Sequence, residues 1–397
     1  MAFRRLEDAD LAGRRALVRV DFNVPMEDGK VADDTRLRAA LPTIHHLSVN
    51  GAKVILIAHF DRPKGKRVPQ MSLKPIAQPL SDLLEQPVAF ADDCIGPEAA
   101  KVVDGLENGG VALLENLRFH AGEEADDEGF TAELAKLGDL FVNDAFSVAH
   151  RSSASIVGLA SELPAYAGLA MQRELEMLDA ALGNPKRPVL GIVGGSKVST
   201  KLDLLGNLVT KLDRLAIGGG MANTFLAAQG HDVGASLCEH DLADTAREIM
   251  QTAKASGCEL LLPVDVVTAE EVKPGAASHV RDLGQVQPAD RILDAGPKSV
   301  ERLLAAMEQS ATLIWNGPLG VFEVPPFDAA TVAAAKKAGA LASQGRIVAV
   351  AGGGDTVAAL NHAGVAGEFT FVSTAGGAFL EWMEGKALPG VAALQQG

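Results

Sequence analysis

Residues 188–201 read PVLGIVGGSKVSTK. A short apolar run, PVLGIVGG, gives way at a glycine pair to a segment of helical pattern, as when a strand feeds a helix. The same alternation extends in both directions. Upstream, strands are expected at 15–24, 52–59, 87–92, 111–116 and 140–145, with helices at 34–49, 72–85, 96–104 and 130–138. In the second half, strands are expected at 188–195, 214–220, 259–267, 312–318, 346–354 and 369–373. Helices are expected there at 198–211, 221–229, 239–256, 297–309, 329–343 and 355–363. Near-continuous apolar strands alternating with helices predict an α/β protein whose parallel sheets are covered on both faces.

A length of 397 residues exceeds what one hydrophobic core usually supports, so two domains are expected. A content of 47% hydrophobic and 22% charged residues fits a globular protein able to bury a core. No apolar run approaches the roughly 20 residues that span a bilayer, and MAFRRLEDAD at the start lacks the apolar stretch of a secretory signal. Cys94, Cys238 and Cys258 are scattered, which argues against a disulfide framework or structural zinc and for a reduced cytoplasm. A net charge of −15 makes nucleic acid and anionic membranes poor partners. Residues 1–165 hold 12 of the 41 glycines and residues 166–397 the remaining 29, so the two halves differ in chemistry. The join is expected near 161–182, where an amphipathic helix either lies between domains or belongs to the surface of the second.

The first half sets single arginines in distinctive surroundings: RVDFNVP followed by DDTR at Arg36, AHFDRPKG at His59 and Arg62, LLENLRFH at Arg118, and NDAFSVAHRSS at Arg151. Guanidinium forks suit a compact phosphate or carboxylate. Any one of them alone reads best as an ordinary surface charge; several in such motifs do not. The second half carries glycine turns at strand ends, VGGSKVSTK, IGGGMANTF, WNGPLGVFE and AGGGDT, where open α/β sheets bind ligands. Lys197 and Lys201 lie four residues apart, either a solvated pair or one with an anion between them. Asp355 reads either as a plain helix N-cap or as a magnesium ligand beside polyphosphate. Glu323 is either a solvated carboxylate or an acceptor for ribose hydroxyls. IGGGMANTF taken alone could be no more than a tight packing turn. No GxGxxG, GxSxG, HExxH or metal-spaced Cys/His cluster occurs, which disfavours dehydrogenase, hydrolase and zinc readings.

RVDFNVP, HxxRPKG, LLENLRF, NDAFxxAHR, GGSKVSTK, GGGMANTF, WNGPLGVFE, GGGDT and VSTxGGA follow in this order over nearly the whole chain, which closely resembles the phosphoglycerate kinases. The resemblance implies two doubly wound parallel-sheet domains joined by an interdomain helix, with a cleft between them. They would be 1–167 for 3-phosphoglycerate and 168–379 for nucleotide, with 380–397, around FLEWMEGKAL, packing back on the first. It implies reversible, Mg2+-dependent phosphoryl transfer between ATP and the carboxylate of 3-phosphoglycerate, giving ADP and 1,3-bisphosphoglycerate, in line and after domain closure. The substrate site falls on Asp21, Asn23, Arg36, His59, Arg62, Arg118 and Arg151, and the nucleotide site on Lys197, Lys201, Glu323, Gly353, Gly354, Asp355 and Thr356. Asp355 would hold the metal, Arg36 and Lys201 would be catalytic, and the enzyme would be a cytoplasmic monomer.

Three departures stand out. Phe60-Asp61 replaces the usual Leu-Gly, Ser153 stands where many relatives carry a second histidine, and Ala375 replaces a glycine. An acid at Asp61 is expected to weaken anion binding, and Ala375 to be strained if its φ is positive.

Overall fold

The computed structural model describes residues 3–395. The chain forms two compact units. One runs to Glu176 and resumes at Ala387; the other is Met177–Lys386.

In the first unit, β1 (Arg15–Arg19), β2 (Lys53–Ile57), β3 (Val88–Ala91), β4 (Val111–Leu114), β5 (Leu140–Asn143) and β6 (Ala165–Ala167) form one sheet in the order β3-β4-β2-β1-β5-β6. All its pairings are parallel. β4 and β5 are buried at every residue, as strands covered on both faces must be, whereas the edge strand β3 is only partly so. The unit's longer helices up to β6 are α1 (Thr35–Val49), α2 (Lys74–Leu84), α3 (Gly96–Asp104) and α4 (Glu128–Ala135). Asp127 starts α4 by accepting the Phe130 N–H, and proline opens α2 and α3 where a missing N–H costs nothing. Leu37, Ile44 and Leu47 of α1 and Ile76 and Leu80 of α2 bury against Val18, Val54 and Leu56 of the sheet.

The next helix, α5 (Leu169–Leu178), carries the chain out of this unit. Its first turn belongs to the first unit: Leu169 N donates to Thr43 Oγ1 at 2.9 Å and Ala170 N to Asp144 Oδ1 at 2.9 Å. The boundary therefore falls at Glu176 and not at 167, because capping bonds hold that turn.

In the second unit, β7 (Val189–Val193), β8 (Arg214–Ile217), β9 (Glu259–Leu261), β13 (Thr312–Asn316), β14 (Val348–Gly352) and β15 (Phe371–Ser373) form a parallel sheet in the order β9-β8-β7-β13-β14-β15. Alternate residues of one face, Leu190 and Ile192, Leu313 and Trp315, Ala349 and Ala351, pack under α9 (Pro297–Glu308) and α10 (Ala329–Ser343). Ala330, Ala334 and Ala338 let α10 approach closely. On the other helices, α6 (Leu202–Leu208), α7 (Gly219–Ala228), α8 (Ala243–Ser256) and α11 (Gly354–His362), the sequence reading of 198–211 overshoots most, because Val198–Thr200 forms a separate 3-10 turn.

A three-stranded sheet in the second unit went unread in the sequence. β10 (Asp265–Ala269), β11 (His279–Asp282) and β12 (Arg291–Ala295) pair antiparallel as β11-β10-β12. The run 259–267 looked like one strand, yet Leu262, Pro263 and Val264 break it into β9 and β10 of different sheets. Proline lacks the N–H that a central ladder needs.

The C-terminus also differs from expectation. FLEWM lies in α12 (Gly377–Met383), which packs on α6 within the second unit, where Asn207 Nδ2 donates to Met383 O at 2.6 Å. Only the chain from Ala387, including α13 (Pro389–Gln395), joins the first unit, where Gly390 N donates to Ala149 O at 2.8 Å. The expected span 380–397 thus begins too early, and residues 396 and 397 lie outside the described residues.

Asp265 shows how the extra sheet is tied in. Its fully buried carboxylate accepts from Lys298 N at 3.0 Å, Ser299 N at 2.8 Å and Ser299 Oγ at 2.7 Å, capping α9 in place of Gly296, which has no side chain to do so. Asp265→Ala strands these donors out of reach of water, so a loss of about 2–3 kcal/mol is expected in a denaturant titration. An unchanged midpoint would contradict the capping role.

Candidate functional site

In both six-stranded sheets the order in which successive strands are added reverses at one point. In the first unit, β2 and β5 flank β1, and the chain after their C-terminal ends supplies the arginine motifs. Asp21 Oδ1 accepts from Asn23 N at 3.1 Å and from Arg36 Nη1 at 3.1 Å, while Ser147 Oγ donates to Asp21 Oδ2 at 2.6 Å. Arg36 Nη1 also donates to Asn23 O at 2.7 Å, so one edge of this guanidinium is fixed while Nε and Nη2 make no hydrogen bond among the described residues. Asn23 Oδ1 in turn accepts from Asp61 N at 3.0 Å. Asp61 O accepts from Arg118 Nη1 at 2.8 Å, and Arg118 Nε pairs with Glu124 at 3.3 Å.

Asp61 adopts φ 53, the left-handed region that favours glycine, and is exposed. Aspartate tolerates this conformation better than most residues. Its backbone joins Asn23 to Arg118, so the substitution leaves the loop's connections in place. Ala375 is not among the positive-φ residues; Gly376 next to it takes φ 50, so the strain expected at Ala375 does not arise.

His59 is buried, with Arg19 Nη2 at 3.0 Å from its Nδ1. A guanidinium has no lone pair to offer, so Nδ1 accepts and the proton of the neutral ring sits on Nε2. Burial, then Arg19, Arg118, Arg151 and Arg36, push its pKa well below the ordinary 6.5. His59 is thus a neutral donor among cations. Arg19 is fully buried, with a pKa lowered mainly by that burial, and Nε donates to Ser155 Oγ at 2.9 Å. Ser155 Oγ and Ser153 Oγ donate to Glu123 Oε1 at 2.6 and 3.1 Å. Ser153 therefore serves the counter-ion of this cluster. Arg19 escaped the sequence reading, although a lone arginine in RALVR was the available signal. Arg62 and Arg151 are exposed, and their side chains form no ion pair among the described residues.

In the second unit the glycine turns stack backbone on backbone. A Cβ on Gly194 would lie 1.7 Å from Pro318 O, and one on Gly219, at φ 66, 2.6 Å from Gly195 O. Close approach, the blander reading of IGGGMANTF, is therefore part of its role. These turns wall a cavity of about 340 Å3, also lined by Asn223, Leu237, Leu293, Glu323 and Asp355. The unread β12 supplies one wall.

Lys201 Nζ donates to Gly194 O at 2.6 Å, Asn316 Oδ1 at 2.6 Å and Asn316 O at 3.3 Å. Asn316 Nδ2 donates to Gly352 O at 2.9 Å, and Gly317 N to Thr356 Oγ1 at 2.7 Å, so the WNGP and AGGGDT turns are pinned together. Asn316, unnamed in the sequence reading, is the hub. Thr356 is buried and its hydroxyl is engaged inside the scaffold. Gly353 is the N-cap of α11, which leaves Asp355 exposed in the first turn, without a hydrogen bond or ion pair among the described residues. The plain-cap reading of Asp355 fails. A free hard oxygen donor on the wall of this cavity is the kind of ligand a magnesium ion takes. Lys197 and Glu323 are exposed. A different donor set, Asp93, Cys94 and His120 in the first unit, is engaged internally: Asp93 Oδ1 accepts from Cys94 N at 2.7 Å, lies 2.7 Å from His120 Nε2, and Arg67 stands 3.8 Å from the other oxygen.

A strand end crowded with guanidinium groups in one unit and a glycine-walled cavity in the other are what a nucleotide-dependent metabolite kinase requires. A family model described as phosphoglycerate kinase matches residues 6–386. The chain is 75% identical over 395 residues to the phosphoglycerate kinase of Caulobacter vibrioides (strain NA1000 / CB15N), covering 100% of both. It is 61% identical to that of Rhizobium meliloti (strain 1021), again covering 100% of both. The structure of phosphoglycerate kinase from Coxiella burnetii superposes with a TM-score of 0.93 at 40% identity, covering 100% of this chain and 99% of that one. The chain belongs to the phosphoglycerate kinase family, whose members transfer a phosphoryl group between ATP and the carboxylate of 3-phosphoglycerate.

Burial lowers the Lys201 pKa from 10.5 to about 8, against an upward pull from Asp355. The folded apo protein therefore sheds this proton before the unfolded chain does, so Lys201 makes stability rise between about pH 8 and 10.5. Anion binding has the opposite dependence, because it favours the ammonium. Nucleotide affinity is expected to weaken above about pH 8, and Lys201→Met should flatten that limb in a calorimetric pH series. A limb that persists in the variant would show that another group controls it.

Proposed function

We propose that this chain is an active phosphoglycerate kinase using Arg36, His59, Arg62, Arg118 and Arg151, with Asp21 and Asn23, for 3-phosphoglycerate. The cavity bordered by Lys197, Lys201, Glu323, Gly353, Gly354 and Asp355 takes the nucleotide, with Thr356 acting from behind through its bond to Gly317. The observation that carries the reading is the cation cluster around neutral His59 in a chain of net charge −15, where the exposed Arg62 and Arg151 have no counter-ion among the described residues. Arg62, Arg118 and Arg151 clamp the distal phosphate, and the His59 Nε2–H adds a donor without adding charge. Glu323 accepts from the ribose hydroxyls.

The two reactants are both anionic, so the protein's work is positioning and charge neutralisation. The free edge of Arg36 and the Lys201 ammonium meet the charge on the transferred group in a direct in-line step, with closure of the units excluding water. The carboxylate of Asp355 would hold a magnesium ion, which would supply neutralisation of the nucleotide's negative charge. The reading extends to a cytoplasmic monomer.

A coupled assay with ATP and 3-phosphoglycerate tests the activity. Arg36→Ala should lower kcat at least a hundredfold, about 2.7 kcal/mol at 1.36 kcal/mol per tenfold, with ATP affinity nearly unchanged. Unaltered kcat would remove Arg36 from the catalytic role. Asp355→Ala should raise the magnesium concentration needed for half-maximal rate, and the same requirement in both proteins would place the ion elsewhere.

A further inference from the structure

Between Lys197 and Lys201 the chain makes the 3-10 turn Val198–Thr200. Ser199, at its centre, donates its backbone N–H to Glu239 Oε2 at 3.0 Å and its hydroxyl to Glu239 Oε1 at 2.5 Å. Glu239 comes from LCEHD, outside the strands that end in glycine turns. Its own backbone N donates to Thr224 Oγ1 at 3.0 Å, and Thr224 is buried in α7, the helix opened by the Gly218–Gly220 turn. Asn223 Nδ2, one residue earlier on α7, donates to Leu237 O at 3.1 Å. Glu239 thus fastens one glycine turn to the helix of another, holding Ser199 with both carboxylate oxygens and Thr224 with its backbone N–H.

We propose that Glu239 is a positioning residue of the nucleotide site, holding the Val198–Thr200 turn so that Lys197 and Lys201 are set for the polyphosphate; this rests on the reading of those lysines given above. A carboxylate within electrostatic reach of Lys197 is the wrong charge for an anion site. Charge and position therefore predict opposite outcomes. Removing the anion should tighten nucleotide binding if only charge matters, and weaken it if the turn depends on the clamp.

The test is steady-state kinetics on the full chain, with KM for ATP, KM for 3-phosphoglycerate and kcat read separately and folding followed by thermal melting. Glu239→Ala should raise KM for ATP about tenfold and leave KM for 3-phosphoglycerate within about twofold. Glu239→Gln, whose carbonyl still accepts from Ser199 N, should recover most of the loss. Ser199→Ala, which keeps the backbone N–H bond, should give a smaller rise, and the Ser199→Ala/Glu239→Ala double variant should be no worse than Glu239→Ala alone, because Glu239→Ala already removes the hydroxyl contact that Ser199→Ala deletes. An ATP KM that is unchanged or lower in Glu239→Ala, or a glutamine variant as impaired as the alanine one, overturns the proposal. If Glu239→Ala melts below assay temperature, Ser199→Ala decides, and a normal ATP KM there overturns it. Lys197→Ala separates the two levels: a normal ATP KM in that variant sinks the nucleotide reading itself, whereas an impaired Lys197→Ala beside a normal Glu239→Ala sinks only the clamp.

Discussion

Parallel strands that leave a central strand in opposite directions cannot be bridged across their ends by the covering helices. That crevice is the constraint on which each unit depends. In the first it opens beside β1, and the loops that border it come from β1, β2, β4 and β5. In the second it opens between β7 and β13, where GGSK and WNGP meet. Backbone N–H groups and side chains from distant stretches converge there because the sheet brings their strand ends into one row. The chemistry differs between units since one crevice is lined with guanidinium groups and the other with bare backbone.

Cations placed in such a crevice repel one another, and the protein manages this by several means. Arg19 is offset by Glu123 through Ser155, Arg36 by Asp21, and Arg118 by Glu124. His59 avoids the problem by staying neutral. Lys201 in the other unit has no carboxylate bonded to it among the described residues; three carbonyl oxygens from Gly194 and Asn316 satisfy its hydrogens instead. Neutral acceptors leave its charge uncancelled, and the depressed pKa records what burial without a counter-ion costs.

Much of this was legible in the sequence. The strand and helix alternation was readable because parallel strands buried on both faces are apolar throughout, and helices such as Pro297–Glu308 and Ala329–Ser343 carry clear periodicity and end signals. The arginine and glycine motifs fall at strand ends, where the structure brings them together. What escaped depends on contacts between remote segments. Nothing local separates β9 from β10 except Pro263, and the half-exposed β11 lacks any apolar run. Asn316 and Arg19 look unremarkable until their partners, more than a hundred residues away, are known. Glu239 is the same case, since its partner Ser199 lies forty residues upstream. The boundary, which falls within α5, differs from the expected one because the capping partners of that helix, Thr43 and Asp144, come from other elements.

The stacking of Gly194 against Gly317 and Pro318, and of Gly219 against Gly195, has a consequence for how this chain can diverge. Each turn is the other's van der Waals boundary, so a side chain gained on one cannot be absorbed by a compensating loss on its neighbour, which has no atoms left to give up. Paired replacement, the usual escape for a packed core, is closed here. Drift in this region is channelled into the residues around the turns, and lineages separated by long descent should still share the same bare contour.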